Sequence, residues 1–319
     1  MGGGETIRHA VITGITSFIG ISLSRLLSER GTEVTGIIRP GSSRKEAVAS
    51  IPGVRVIERE LSDIDTTLKK EIPRADCFFH MGWDSSFPNS RYNPMQTVNI
   101  GSTMKAVELA KEIGCGTFIG VGSQAECGRV NSKIKENTPN SPENEYGSAK
   151  VRAAEESTAL CERYGIRCVW PRLLSAYGPF DRPHTMVMSC IRACLNDLKM
   201  EMTPCGQIWD YIYIDDAADA LLSIAKKGKH GVRYPIGSGD ERPLREYVEK
   251  IAEKTGKDVG MLGIGLKQYT EGQPMYLSAD ISTLTKDTGF RPEYSFDAGI
   301  ERTIEWVRSE QQTGGRPRQ

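Results

Sequence analysis

The chain carries no excess charge of either sign: 41 lysines and arginines face 41 aspartates and glutamates in 319 residues. That balance leaves no electrostatic footprint for nucleic acid or an anionic membrane. No apolar run approaches the roughly 18 residues that a membrane span requires. The start, "MGGGETIRHA", lacks the apolar core of a signal peptide, and its glycines are expected to form a flexible beginning. Histidine is scarce, at 4 residues, and H-E-x-x-H is missing, so no metal site is expected. The 8 cysteines (Cys77, Cys115, Cys127, Cys161, Cys168, Cys190, Cys194 and Cys205) are scattered without a C-x-x-C pair. Most lie in apolar contexts, where buried reduced thiols are expected in place of disulfides. A soluble cytoplasmic protein is the expectation.

What is present is a rhythm. "HAVIT" (9–13), "EVTGII" (33–38), "VRVIE" (54–58), "CFFHM" (77–81), "TFIGV" (117–121) and "RCVWP" (167–171) read as strands. Helical apolar spacing fills 18–30, 94–113 and 144–164, with weaker signals at 43–50 and 64–71. Such alternation predicts an α/β fold, a doubly wound parallel sheet of the Rossmann type. After residue 178 the rhythm changes: a loop and helix, "WDYIYIDD" (209–216) as strand then helix, "RYPIGSG" (233–239), and amphipathic helices at 240–256 and 297–309. We expect residues 1–178 with 207–237 to bind a dinucleotide. Residues 179–206 with 238–310 would form a smaller, interleaved C-terminal substrate lobe, and 311–319 a disordered tail.

The first strand runs into "TGITSFIG" (13–20), a strand-to-helix turn framed by Gly14 and Gly20. Ser17 stands where a middle glycine is usual, and Phe18 and Ile19 open the helix. Backbone amides and the helix dipole at such a turn suit a pyrophosphate. An ordinary tight turn is the plain alternative, but the position at the head of a β-α-β series favours dinucleotide binding. An NAD site wants a carboxylate at the end of the second strand. This chain has "GIIRPGSSR" (36–44), placing Arg39, Ser42, Ser43 and Arg44 there, groups that suit a 2′-phosphate. NADP(H) is therefore favoured, with NAD(H) possible. Glu60 and Leu61 follow the third strand and would flank the adenine.

"YGSAK" (146–150) sits at the start of a helix, so Tyr146 and Lys150 share a face. An ammonium beside a phenol lowers the tyrosine pKa, making it a proton donor or acceptor for a carbinol oxygen during hydride exchange. It is the one Y-x-x-x-K among 11 tyrosines.

With "TGITSFIG", "FFHMGWD", "VNIGST", "GSQAECG", "YGSAK", "PRLLSAYGP" and "QIWDYIYIDD" in that order, the chain resembles the extended short-chain dehydrogenase/reductase family, of the NAD-dependent epimerase/dehydratase type. The resemblance covers about residues 8–309 and implies enzymes acting on nucleotide sugars, usually as homodimers. It implies that Ser123 is the catalytic serine beside Tyr146 and that Lys150 contacts the nicotinamide ribose. It places Asn99 near the cofactor, His80, Met81, Gly82 and Trp83 along the cofactor border, and Ser175 and Tyr177 at the nicotinamide end. Dimers would pair helices 94–113 and 144–164.

The family's 4,6-dehydratases carry a glutamate, often preceded by an aspartate, directly after the hydroxyl residue. Here those places hold Gln124 and Ala125, and Glu126 comes one residue late, on the opposite face of an extended stretch. Dehydration therefore loses its acid/base. An NADP(H)-dependent sugar-nucleotide 4-ketoreductase is expected, the alternative being a 4-epimerase with tightly bound NAD. A non-catalytic NADP-binding protein is disfavoured by the joint presence of Ser123, Tyr146 and Lys150. One departure stands out: the arginine that usually clamps the pyrophosphate before the "DYIYIDD"-like strand is replaced by Trp209, and no arginine lies between Arg245 and Arg291. Three alternatives follow: Arg182, His184, Arg192 or Lys267 takes over the clamp, Trp209 stacks on a base or sugar in place of packing in the core, or the substrate is of another class.

Overall fold

The structure, a computed structural model, describes residues 6–84 and 88–312. Its first half is built from β1 (His9–Thr13), α1 (Phe18–Glu29), β2 (Glu33–Ile38), α2 (Lys45–Ala49) and β3 (Val54–Glu58). After them come β4 (Cys77–His80), α3 (Val98–Glu112), β5 (Thr117–Gly120), β6 (Gly122–Ser123), α4 (Glu145–Tyr164) and β7 (Arg167–Val169). The six longer-paired strands form one parallel sheet in the order β3-β2-β1-β4-β5-β7. Strand order reverses between β1 and β4, and ligands of doubly wound sheets bind in the crevice beyond the strand ends at that point.

Why these strands read as unbroken apolar runs is clear from their burial. Val11 and Ile12 are both fully buried yet belong to different clusters, one on each face of the sheet. A parallel sheet covered on both sides has no wet face to alternate toward. α4 begins where the Asn144 side chain accepts from the Gly147 amide and ends at Gly165 in the left-handed region, φ 69°. That pair of caps fixes the 20-residue length that sets Tyr146 and Lys150 on its first two turns.

The second half contributes β8 (Arg172–Leu173), β9 (Ser175–Tyr177), α5 (Met186–Leu195), β10 (Met200–Met202), β11 (Ile208–Tyr213), α6 (Ile214–Lys227) and β12 (Pro235–Ile236). It continues with β13 (Glu241–Pro243), α7 (Leu244–Thr255), β14 (Leu262–Ile264), β15 (Tyr276–Leu277), α8 (Ser282–Thr288) and α9 (Phe296–Gln312). β6, β8 and β12 pair in parallel. β11 runs parallel to β9 and β15 and antiparallel to β13. α6 then returns to α1, where the Ser22 hydroxyl donates to Asp215 at 2.7 Å. An aromatic knot of Tyr177, Tyr211, Tyr247 and Phe296 ties β9 and β11 to α7 and α9.

Three segments differ from the sequence expectation. The helix expected over 240–256 begins only at Leu244, because Glu241–Pro243 pair antiparallel with β11. The stretch 94–113 opens as a 3-10 turn, Pro94–Thr97, started by the Asn93 side chain capping the Met95 amide. The weak signal at 64–71 is likewise a 3-10 segment, Thr66–Lys70, begun by Asp65. Gln311 and Gln312 complete α9, whereas the rest of the proposed tail and the glycine-rich start lie outside the described residues. All eight cysteines are free and buried. No helix among the described residues is long and apolar enough to cross a membrane, and none of their His, Cys, Asp and Glu side chains form a group fit for a metal ion.

Candidate active site

Gly14 leaves β1 with φ +70°, and a Cβ there would sit 2.7 Å from the Gly82 nitrogen and 2.8 Å from the Met81 carbonyl carbon. The turn and the loop after β4 thus touch backbone to backbone, which only glycine permits. A Cβ on Gly20 would meet the Gly14 and Ile15 carbonyl oxygens at 2.6 and 2.5 Å, so α1 starts pressed against the turn. Ser17 caps α1 by accepting from the Gly20 amide at 3.1 Å. The Phe18 and Ile19 amides remain at the positive end of the dipole, with no carboxylate in that first turn. This cradle fits a dinucleotide pyrophosphate.

At the end of β2, Arg39 is exposed and makes no side-chain hydrogen bond or ion pair among the described residues. Arg44 lies across the turn, its guanidinium 3.4 Å from the Thr16 carbonyl oxygen and 6.0 Å from the Phe180 ring centre. Ser42 is half-buried and Ser43 exposed on the same loop, Glu60 is exposed, and Leu61 lies against Gly82.

Several residues placed by resemblance turn out to hold the frame. His80 is buried between Thr13 and Thr103, 3.0 and 3.1 Å from their hydroxyls. Burial lowers its pKa to about 3, with the Lys150 charge adding to the effect, so it is a neutral strut. Asn99 binds the loop after β4: its Oδ1 accepts from the Asp84 amide at 2.7 Å and its Nδ2 donates to the Asp84 and Gln96 carbonyls. Tyr177, expected at the nicotinamide end, is fully buried, and its hydroxyl donates to the Phe296 carbonyl at 3.2 Å. It is core. The aromatic knot claims it because β9 pairs with β11 over α9.

The proposed catalytic residues do converge. Ser123, at the end of β6, is buried and caps the 3-10 turn Gln124–Glu126, its Oγ accepting from the Ala125 amide at 3.2 Å. Tyr146 is 9 % exposed and packs edge-on to Trp83, ring centres 5.9 Å apart. Lys150 is buried on the same face of α4 and donates to the Val121 carbonyl at 2.7 Å. Its Nζ stands 3.7 Å from the centre of the Trp83 ring and 5.9 Å from that of Tyr146. Burial draws the Lys150 pKa down to about 7, with Glu126 pulling the other way.

The expected lowering of the Tyr146 pKa is not found. Burial raises it, and the Ser123 hydroxyl and the Arg91 and Arg182 charges offset only part. Lys150 turns its ammonium to Val121 and Trp83, which is why it does not set the tyrosine.

Glu126 also departs from the sequence picture, since its stretch is a 3-10 turn and not extended. The carboxylate folds back to accept from the Ser123 amide and the Trp170 indole, both at 3.0 Å. Its other oxygen is 3.2 Å from Arg172 Nε, in a pair with both side chains at 1 % exposure or less. Arg172 donates further to the Thr138 carbonyl and to Asn140. Glu126 is thereby held as a structural anion.

Among the proposed substrate residues, Gln124 is half-buried beside Ser123. Trp209 is half-buried against the core, its indole N–H donating to Ser175 Oγ at 2.8 Å. Arg182 is exposed but within electrostatic reach of Tyr146. His184 lines a cavity of about 530 Å³ with Arg192 and Lys199, which shares no lining residue with the catalytic group. Sequence reasoning missed Arg91, whose guanidinium lies 5.0 Å from the Tyr146 ring centre. No motif marks it.

Residues 10–237 match the model of the NAD dependent epimerase/dehydratase family. The chain is 23% identical over 305 residues to the low-salt glycan biosynthesis protein Agl12 of Haloferax volcanii, covering 93% of this chain and 97% of that protein. It is 22% identical over 320 residues to a probable dTDP-glucose 4,6-dehydratase of Sinorhizobium fredii, covering 93% and 91%. Of solved structures, UDP-N-acetylglucosamine 4-epimerase from Methanobrevibacter ruminantium superposes with a TM-score of 0.86 at 24% identity, over 96% of this chain and 100% of that one. DesIV, the dTDP-glucose 4,6-dehydratase of Streptomyces venezuelae solved with NAD and TYD, gives 0.83 at 22% identity, over 96% and 98%. These structures share the fold. The matched model spans well over half of the chain, so the protein belongs to the NAD dependent epimerase/dehydratase family, extended short-chain dehydrogenase/reductase enzymes that use NAD(P).

Proposed function

We propose that this enzyme is an NADP(H)-dependent 4-ketoreductase of a nucleotide sugar. The observation that carries the proposal is the exposed Arg39 guanidinium at the end of β2, where an NAD site would hold a carboxylate. Ser42, Ser43 and Arg44 lie on the same loop and would share a 2′-phosphate with it. The turn from Gly14 to Gly20 would hold the pyrophosphate. When bound, the cofactor supplies the hydride delivered to the sugar carbonyl carbon.

Tyr146 would pass its proton to the carbonyl oxygen, which Ser123 Oγ orients by a second hydrogen bond. Lys150, near 7 and fixed on Val121, would hold the nicotinamide ribose and relay a proton toward Tyr146. Trp83 closes one side of this group and restricts water. Glu126, engaged with Ser123, Trp170 and Arg172, is not free to abstract a proton, which argues against water elimination. Gln124, Ser175, Arg182 and Trp209 would face substrate, in a lobe formed by 179–206 and 238–310 against a cofactor domain of 1–178 and 207–237, whereas His184 lies in the separate cavity with Arg192.

A cytoplasmic homodimer belongs to the same proposal. Tyr92, Met95 and Val98 are exposed at the head of α3, beside α4, and an apolar patch of this kind suits a helix-pairing interface. Sedimentation should give twice the 35.2 kDa chain mass.

Epimerisation with retained NAD is the second reading, favoured by fold similarity to a Thermus thermophilus UDP-glucose 4-epimerase solved with NAD, TM-score 0.82. Dissociation constants for NADPH, NADP, NADH and NAD separate the two. Tight, exchangeable binding of the phosphorylated pair supports the reductase; co-purified, non-exchanging NAD refutes it and favours the epimerase.

A further inference from the structure

Lys150 leaves Tyr146 without a near cation, and the structure provides another. The Arg91 guanidinium lies over the Tyr146 ring at 5.0 Å, closer than the Lys150 ammonium at 5.9 Å. Its backbone is tied to the same residue, the Tyr146 amide donating to the Arg91 carbonyl at 2.9 Å. The flanking segment is anchored too: the Trp83 indole donates to Gln96 Oε1 at 2.8 Å, and Gln96 Nε2 donates to the Ser90 carbonyl at 3.0 Å. Arg91 Nε is buried and has no hydrogen-bond partner. No carboxylate pairs with this guanidinium among the described residues. A buried cationic N–H normally finds an acceptor, and what this one faces is an aromatic ring that becomes anionic when its proton leaves.

We propose that Arg91 is a positioning residue for proton transfer, supplying beside the Tyr146 ring the positive charge that the phenolic oxygen requires when it gives up its proton. In that step the Tyr146 O–H bond breaks, a new O–H bond forms on the reacting oxygen, and the electron pair stays on the phenolic oxygen until a proton returns from solvent by way of Lys150. An arginine suits the task because its charge persists at every working pH, whereas Lys150 is near half-charged at 7. The other groups facing Tyr146 are the Ser123 hydroxyl and the Glu126 carboxylate from the turn after β6, Arg182 from the loop before α5, and Lys150 and the Trp83 ring. Glu126 opposes ionisation of the phenol. Arg182 is exposed and more heavily screened, which leaves Arg91 as the principal cation.

The inference rests on Tyr146 as the proton-transfer residue, but its test needs no substrate. The full-length protein, labelled with ¹³Cζ-tyrosine, is titrated as wild type, Arg91→Gln and Arg91→Lys, with Tyr146→Phe assigning the resonance. The midpoint of the Tyr146 resonance is expected to rise by about one pH unit in Arg91→Gln, a tenfold loss of acidity, and to stay near wild type in Arg91→Lys. Coincident titration of wild type and Arg91→Gln would overturn the proposal. Should Arg91→Gln fail to fold, Arg91→Met replaces it. A failed hydride-transfer assay would refute the proposed function and leave this titration intact.

Discussion

Replacing Glu126 with glutamine tests the buried network beneath Ser123. The glutamine amide oxygen can still accept from the Ser123 amide and the Trp170 indole, as the carboxylate does at 3.0 Å in each case. What changes is the side facing Arg172, where a carboxylate oxygen 3.2 Å from Nε becomes an NH₂ group, donor against donor. The Arg172 side chain is 1% exposed and, among the described residues, keeps the Thr138 carbonyl and Asn140 Oδ1 as its acceptors. Arg233, 3.8 Å from Glu126 at 17% exposure, loses a weaker partner and can turn to water. Removing one member of a buried pair leaves an uncompensated charge, which costs about 3–5 kcal/mol. Urea unfolding followed by circular dichroism should show that loss as a lower midpoint with an unchanged slope. The double variant with Arg172→Met should recover part of it, with a coupling of about 0.5–3 kcal/mol. A single-variant loss under about 1 kcal/mol would refute the reasoning, because Arg172 would then have to be stabilised without Glu126.

Arg39→Ala should weaken NADPH binding about tenfold or more and leave NADH little changed, read by fluorescence titration, since one guanidinium on a phosphate is worth at least 1.4 kcal/mol. Lys150→Met should abolish turnover yet be more stable than wild type at pH 6. Burial lowers the lysine pKa from 10.5 to about 7, so the penalty of a buried ammonium is full below 7 and fades as pH rises toward 10.5. The stability difference should therefore shrink by about 1.4 kcal/mol per pH unit above 7, and a difference that does not vary with pH would contradict it. Gly14→Ala demands φ +70° of an L-residue and puts a Cβ 2.7 Å from the Gly82 nitrogen, so dinucleotide affinity should fall more than tenfold with a lower Tm. Tyr146→Phe should remove nearly all turnover while cofactor binding stays as in wild type; retained turnover would exclude it as the proton donor.

What could be read from the chain was what repeats locally. A parallel strand buried on both faces must be apolar throughout, so β1, β2 and β3 stand out as "HAVIT", "EVTGII" and "VRVIE" with their ends in place. A tight strand-to-helix turn needs Gly14 and Gly20 at fixed spacing, and two residues four apart on a helix share a face, so Tyr146 and Lys150 could be paired unaided. Boundaries blurred where capping decides them, as at Asn93 and Asp65, because a side-chain hydrogen bond to a nearby amide chooses 3-10 over α geometry.

Tertiary structure decided the rest. Glu126 is one residue from a catalytic place in the sequence, but an arginine 46 positions away makes it a structural anion. Tyr177 matches a site motif, yet the Phe296 carbonyl 119 residues on takes it into the core. Arg91 belongs to no motif and reaches Tyr146 across 55 residues because its backbone carbonyl and guanidinium both lie against the first turn of α4. Propensity, periodicity and motif spacing act within a few residues, so the chain could declare its fold, its dinucleotide turn and its serine, tyrosine and lysine. Burial and charge pairing act between segments remote in sequence, and they alone determine which of those groups are free to react and which are held as frame.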